Sequence, residues 1–443
     1  MGRLFGTDGV RGVANQDLTA DMAFRLGQAG AAVLSKDKGG IFILGKDTRV
    51  SGDMLEAALA AGICSVGSHA VKVGVLPTPG IAHLTKALNA DGGVVISASH
   101  NPAEYNGIKF FGPDGFKLAD STENEIEAVM GSIKDLPTGP SIGTVRENKR
   151  AADIYIEHLI NTISGNLKGL RVAIDCSHGA AYHVSPTVFR QLGAKVMAVN
   201  TKPNGININL GCGSTHIDYI QEIVTSHDVD IGFAHDGDAD RVIAVDENGE
   251  VVDGDYIMAI CAAHLKKRSL LPKNALISTV MANLGFDIAM EKYGIQIVKT
   301  KVGDRYVLEE MLKRGVAVGG EQSGHIIFLN HNTTGDGIIT ALQLASVMME
   351  TGKHLSELKQ IMKKLPQVLV NVKVKKTDGW EDIPLIKESI AKAKAELKDR
   401  GRILVRSSGT EPLIRVMVES DTSDGAGFVA NSVANVIRQE LGY

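Results

Sequence analysis

The chain has 443 residues, with 47 basic and 51 acidic side chains that are interspersed and leave a formal charge of -4. That length exceeds a single hydrophobic core and calls for about three or four domains. No basic block suits nucleic acid, no run approaches the ~18 apolar residues of a membrane helix, and the charged, glycine-rich opening MGRLFGTDGVRG lacks the apolar centre of a signal peptide, so a cytoplasmic protein is expected.

Short β-rich runs alternate with helical periods along the whole chain. IFILGKD, VKVGV, GGVVISAS, LRVAIDC, KVMAVN, IGFAHD, ALIST, IQIVKT and VAVGG each predict a buried strand, and most are separated by enough residues for a crossover helix. This predicts α/β layers with parallel or mixed sheets, in which ligands gather beyond the carboxyl ends of strands. GIFILGK from Gly40 satisfies most of a nucleotide-binding P-loop but ends in Asp47 where Ser or Thr is required, and its middle is a strand.

The second unusual segment is ISASHNPAEYNGIKFF, Ile96 to Phe111, which places Ser97, Ser99, His100 and Asn101 between a strand and a proline. The reading is a constrained turn with Ser99 exposed. A serine-hydrolase elbow is excluded because glycine is missing two residues either side of Ser99. A break between domains is expected near Glu147, after the Pro- and Gly-containing stretch 134–141.

DGDADR, Asp236 to Arg241, carries three carboxylates at alternate positions between two β-rich segments. Carboxylates crowded in this way repel unless they share a cation, and hard oxygen ligands suit Mg²⁺ or Ca²⁺. The run matches a helix-loop-helix calcium loop at Asp236, Asp238, Asp240 and Glu247, but Arg241 stands where the turn needs glycine, and VIAVDENGEVV reads as a hairpin tipped by Asn248-Gly249. Further along, YIMAICAAHL reads as a packed helix, so Cys261 and His264 are expected to be structural; Cys64, Cys176 and Cys212 are also scattered and expected to be reduced.

Gly303, Asp304 and Arg305 follow IQIVKTKV as a candidate ligand loop, and GGEQSGH offers Glu321 and Ser323 to sugar hydroxyls, with His325 beside them. The final segment, with strands QVLVNVKV, GRILVRSS and LIRVMVES and a last helix, predicts a small α+β domain. Its RSSGTEPLIR run, with Arg406, Ser407, Ser408, Gly409, Thr410 and Arg415, reads as a phosphate cradle without a P-loop lysine.

A serine beside an acidic metal loop points to phosphoryl rather than acyl transfer, because a phosphoserine supplies oxygens that a metal neutralises. Ser99 is then the carrier, with His100, Lys109, Arg11 and Arg241 as the charged or titratable groups around it. A non-catalytic Mg²⁺ or phosphosugar-binding protein stays open as the alternative from another class.

SASHNP, DGDADR, GEQSGH and RSSGTEPLIR, in that order, resemble the four cleft loops of the α-D-phosphohexomutase superfamily, across essentially the whole chain. FGTDGVRG, NGIKFF and Gln322 in the third loop are similar to the amino-sugar branch, whereas phosphomannomutase/phosphoglucomutase relatives commonly carry methionine in that loop. The resemblance implies four domains around a central cleft, three α/β domains with mixed sheets plus a C-terminal α+β domain. The boundaries read here are 1–147 for the phosphoserine loop, 148–254 for the metal loop, 255–365 for the sugar loop and 366–443 for the phosphate loop. It further implies one Mg²⁺ per chain held by Asp236, Asp238, Asp240 and the Ser99 phosphate, a sugar 1,6-bisphosphate activator, a phosphosugar substrate and a homodimer. Whether a separate kinase first charges Ser99 is left open.

Overall fold

The computed structural model describes residues 4–6, 8–35, 39–408 and 412–442. All nine β-rich runs named above form strands, and each of the first three sheets ends a central strand at one of the unusual loops. The first sheet has six strands in the order Val10–Val13, Tyr105–Phe111, Gly92–Ile96, Ile41–Lys46, His69–Val75 and Val145–Glu147. Ile41–Lys46 runs parallel to both its neighbours, while Tyr105–Phe111 folds back antiparallel on Gly92–Ile96 and on Val10–Val13. The apolar faces of these strands bury Phe42, Leu44, Val94, Ile96 and Ile108 against helices Ala20–Leu34 and Ser51–Ser65. The loop at Ser97 therefore leaves the end of a strand buried on both faces, as continuous apolar strands of parallel-type sheets are.

The second sheet orders Val251–Val252, Val242–Asp246, Ile231–His235, Arg171–Asp175 and Lys195–Val199. Ile231–His235 is fully buried and stops directly before Asp236; Val242–Asp246 returns antiparallel, with His235 opposite Val242. The expected hairpin with Gly249 in a left-handed turn follows. The third sheet orders Gln296–Thr300, Ala275–Thr279, Val318–Gly320 and Ile326–Phe328, so Glu321 to His325 form the connection of an antiparallel pair.

Residues 4–281 and 295–361 form one compact unit, to which all three sheets belong; residues 282–294 and 362–442 form a second. The second holds a three-stranded antiparallel sheet, Gln367–Lys373, Leu413–Ser420 and Gly401–Ser407, covered by Pro384–Leu397 and Ser423–Leu441 around Val416, Val418, Val433 and Ile437. The four cysteines are unpaired and buried. No helix among the described residues is long and apolar enough to cross a membrane.

Candidate active site

Ser99 sits in the left-handed region at φ 52°, one turn beyond the strand Gly92–Ile96, and its side chain is fully buried rather than exposed as the sequence suggested. The reason is long-range: the metal loop of the second sheet closes over it. Ser99 Oγ donates to Asp236 Oδ2 at 2.5 Å and lies 3.3 Å from His100 Nδ1. Gly237 permits this approach, because a Cβ there would stand 2.5 Å from the Ser99 carbonyl oxygen.

Asp236, Asp238 and Asp240 are all buried, with one oxygen from each lying within 4.8 Å of the others. It is the one such cluster of three among the described residues. Asp238 accepts from the Thr78 hydroxyl at 2.7 Å and its carbonyl accepts from the Thr78 amide, so the loop abuts the N-terminus of helix Thr78–Ala87. Burial, then Asp240 and Asp238, push the Asp236 carboxyl well above its ordinary range. Burial also opposes ionisation of Asp240, but His325, Lys109 and Arg241 overcome it and hold that carboxyl below the usual range. Oδ1 of Asp238 and Oδ1 of Asp240 are buried without a hydrogen-bond partner. Orphaned carboxylate oxygens of this kind, beside a neighbouring carboxyl that resists ionisation, fit a divalent cation with oxygen ligands.

The cationic groups form a connected set. Lys109 Nζ is 3.0 Å from Asp238 and 3.0 Å from Asp8, and these carboxylates, with Asp240, raise its affinity for the proton against the cost of burial. Asp8 also pairs with Arg11 and with Lys117, the latter at 2.6 Å, and Lys117 reaches Asp304. His325 closes the set, Nδ1 3.5 Å from Asp240 and Nε2 3.7 Å from Asp304; burial disfavours its charge, but the two aspartates raise its pKa. Arg241 lies 3.7 Å from Asp240 through Nε, and its backbone amide donates to Asp236 at 3.2 Å. The His100 imidazole is pushed down by burial and by Arg241 and Arg11.

Glu321 accepts from the Gly303 amide at 3.1 Å, which places those two candidate sugar-loop residues side by side, and Ser323 is exposed. Asp304 is drawn into the charge network through Lys117 and His325, with its own Oδ1 accepting from the Arg305 amide, so its carboxylate is already engaged without a ligand. Arg305 is engaged by Asp120 and the Leu118 carbonyl. In the second unit, Arg406 and Arg415 face each other across paired strands, and burial followed by Arg415 lowers the Arg406 pKa. Arg415 Nη2 lies 3.4 Å from Ser408 Oγ. Ser407 departs from the expected cradle: its hydroxyl accepts from Trp380 Nε1 at 3.0 Å and donates to the Thr377 carbonyl at 3.1 Å, because strand alternation turns it away from Arg406. Gly409 and Thr410 lie outside the described residues.

Sequence reasoning overlooked Asp8, Asp47, Thr78 and Lys117. Asp47 was noted only as the residue that spoils a P-loop, yet it accepts from the Ser97 hydroxyl at 2.5 Å, and Ser97 Oγ accepts from the Ser99 amide at 3.0 Å.

Family models for the phosphoglucomutase/phosphomannomutase α/β/α domains I, II and III match residues 2–136, 153–249 and 253–365, and the C-terminal domain model matches 369–436. The chain belongs to the phosphoglucomutase/phosphomannomutase family. Within it, the phosphoglucosamine mutase of Symbiobacterium thermophilum is 55% identical over 447 aligned positions covering 100% of both chains. That of Clostridium novyi is 54% identical over 99% of both. Among solved structures, a phosphoglucomutase/phosphomannomutase family protein from Burkholderia thailandensis superposes with a TM-score of 0.84 at 23% identity, over 100% of this chain and 99% of that one. The N-acetylphosphoglucosamine mutase of Aspergillus fumigatus, solved with GlcNAc-6P and magnesium, gives 0.68 at 18% identity over 98% and 95%. These two share the fold, and membership of the family accounts for the order of the four loops.

Proposed function

We infer that this chain is an isomerase interconverting glucosamine 6-phosphate and glucosamine 1-phosphate, with Ser99 as the phosphoryl carrier. One observation carries the reading: the Ser99 hydroxyl is 2.5 Å from Asp236 inside a buried carboxylate cluster, in a chain that matches phosphoglucosamine mutases from end to end. A buried serine whose hydroxyl donates to a carboxylate of a cation-holding cluster is suited to phosphoryl exchange. Asp236, Asp238, Asp240 and the Ser99 phosphate would hold one Mg²⁺, which when bound neutralises charge on the transferring phosphoryl oxygens.

In the first half-reaction the Oγ–P bond of phosphoserine 99 breaks as a sugar hydroxyl oxygen bonds to phosphorus, that hydroxyl losing its proton and Ser99 Oγ gaining one. In the second, the O–P bond at the sugar's other position breaks as Ser99 Oγ bonds to phosphorus and gives its proton back to the sugar oxygen, so no net proton is consumed. The resulting glucosamine 1,6-bisphosphate turns over and returns its other phosphoryl to Ser99. Lys109, Arg11 and Arg241 supply positive charge around the transfer, and His100 stands 3.3 Å from Oγ. Glu321 and Ser323 serve the sugar hydroxyls with Gly303 fixing Glu321; Arg406, Ser408, Gly409, Thr410 and Arg415 serve the phosphate that is not reacting. Four domains with the boundaries given above, a cytoplasmic homodimer, and first charging of Ser99 by a sugar bisphosphate or a separate kinase complete the reading; native mass and the intact mass of the purified chain test these.

The deciding experiment compares kcat/KM on glucosamine 1-phosphate, glucose 1-phosphate and mannose 1-phosphate with Mg²⁺ and a trace of bisphosphate, in wild type and Ser99→Ala. Preference for the amino sugar, lost by at least about 10³-fold in the variant and abolished by EDTA, is expected. Turnover retained in Ser99→Ala sinks the carrier assignment, while preference for glucose or mannose replaces the substrate and keeps the chemistry.

A further inference from the structure

We propose that Arg49 and Asn209 are positioning residues that clamp the turn carrying Ser99 and hold its hydroxyl toward Asp236. The inference rests on the reading of Ser99 as the phosphoryl carrier. Arg49 Nη2 donates to the Ser99 carbonyl at 3.1 Å and to the Asn101 carbonyl at 2.5 Å. Asn209 Nδ2, from the loop that follows strand Lys195–Val199 of the second sheet, donates to the same two carbonyls at 2.9 and 3.1 Å. Two carbonyls, two residues apart, thus converge on one pair of donors, which curls residues 99–101 and keeps Ser99 in a backbone conformation that residues other than glycine seldom adopt.

The amide side of Ser99 is tied to the same device. Arg49 is fully buried and its guanidinium pairs with Asp47, which accepts from Ser97 Oγ, which in turn accepts from the Ser99 amide. One buried ion pair therefore fixes both backbone polar groups of the carrier, while none of Arg49's hydrogen bonds goes to Ser99 Oγ or to the three aspartates of the metal loop. Asn209 is itself anchored: its amide donates to the Ser177 carbonyl at 2.9 Å, and it too has a left-handed backbone, φ 59°. The first sheet supplies one jaw and the second the other, so the serine is located with respect to the metal loop rather than only to its own strand. A buried Asp47–Arg49 pair serving stability alone would have no need of the two carbonyls.

The test is steady-state kinetics with Mg²⁺ and glucosamine 1-phosphate on wild type, Ser99→Ala, Arg49→Lys and Asn209→Ala, with thermal melting of each. Lysine keeps the charge but has a single ammonium that cannot span Asp47 and both carbonyls. A misplacement of about 1 Å is worth roughly 10²-fold in rate. Arg49→Lys is expected to lose about 10²-fold and Asn209→Ala about 10-fold in kcat, both at KM within about twofold of wild type, and hydrolysis of phosphoserine 99 is expected to gain on transfer to sugar. If Arg49→Lys does not fold, Asn209→Ala decides on its own. A folded Asn209→Ala whose kcat is within about twofold of wild type overturns the clamp, as does a fall expressed only in KM or only in melting temperature. Turnover surviving in Ser99→Ala overturns the carrier reading, and the clamp with it, whatever the other two variants do.

Discussion

Lys117→Met removes the ammonium that stands between Asp8, at 2.6 Å, and Asp304. Burial disfavours its charge, but Asp304 and Asp8 more than compensate and hold the proton on it well above the ordinary range. At 2.6 Å and an effective dielectric of about 20, the gross attraction to Asp8 alone is about 6 kcal/mol, most of it cancelled by the cost of taking the charges out of water. Removing one partner does not cancel in this way, because both carboxylates lose their ammonium at once, Asp8 keeping Lys109 and Arg11 and Asp304 keeping the His325 imidazole at 3.7 Å; breaks of buried pairs cost about 3–5 kcal/mol. The variant should melt about 5–15 °C below wild type. The penalty should shrink as pH falls, since Asp304 loses the foremost and Asp8, still beside Lys109 and Arg11, one of the charges that hold them below the usual carboxylate range against burial, and both take up protons more readily in the folded state. Asp304→Asn in the same background should recover part of the loss, with a coupling of roughly 1–3 kcal/mol in a double-mutant cycle. Melting followed by circular dichroism at pH 8 and pH 5 reads all three quantities. A loss below about 1 kcal/mol, or additive behaviour of the two substitutions, would refute the view that Lys117 is the shared counter-charge.

Gly237→Ala sets a methyl 2.5 Å from the Ser99 carbonyl oxygen and 2.9 Å from Asn209 Nδ2, so the two loops must part; kcat should fall about tenfold or more with a stability loss of about 1–3 kcal/mol, measured by kinetics and urea unfolding. Acid stability offers an independent check through His83, whose ring stacks on His158 at 3.8 Å and whose pKa is pushed down to about 4 by burial, His158 and Lys86. Its neutral form is favoured in the folded state, so the stability it contributes is intact above about 6.5 and is lost as pH falls toward 4. His83→Gln should therefore lose less melting temperature than wild type between pH 7 and pH 5, by roughly 2–5 °C; parallel curves would remove His83 from the acid response.

Strands were legible because nine apolar, β-branched runs carry the burial signal in consecutive residues, and the metal loop was legible because its three carboxylates occur within five residues. What escaped is what depends on distant segments. Ser99 looked exposed because its turn is polar and ends at a proline, whereas its burial comes from Asp236, 137 positions away. Lys117 meets Asp8 and Asp304 across 109 and 187 positions, and nothing local marks it. Ser407 was a different kind of miss: counting hydroxyls in RSSGTEPLIR ignored the two-residue period of a strand, which alone separates Arg406 from Ser407 onto opposite faces.

The side chains Asp238, Lys109, Asp8, Lys117, Asp304, His325 and Asp240 form a chain of alternating sign that starts and finishes on the same metal loop. Its members come from the segments of all three sheets, so a chimera made by exchanging one α/β domain with a relative inherits a closed circuit only when the incoming segment brings the matching signs. A single replacement takes from its neighbours one of their opposite charges, and a paired one restores the balance. Compensated pairs of substitutions at these seven positions are therefore expected to be borne better than single ones, and the working crossovers of a chimera are expected to be set by charge pairing as much as by packing.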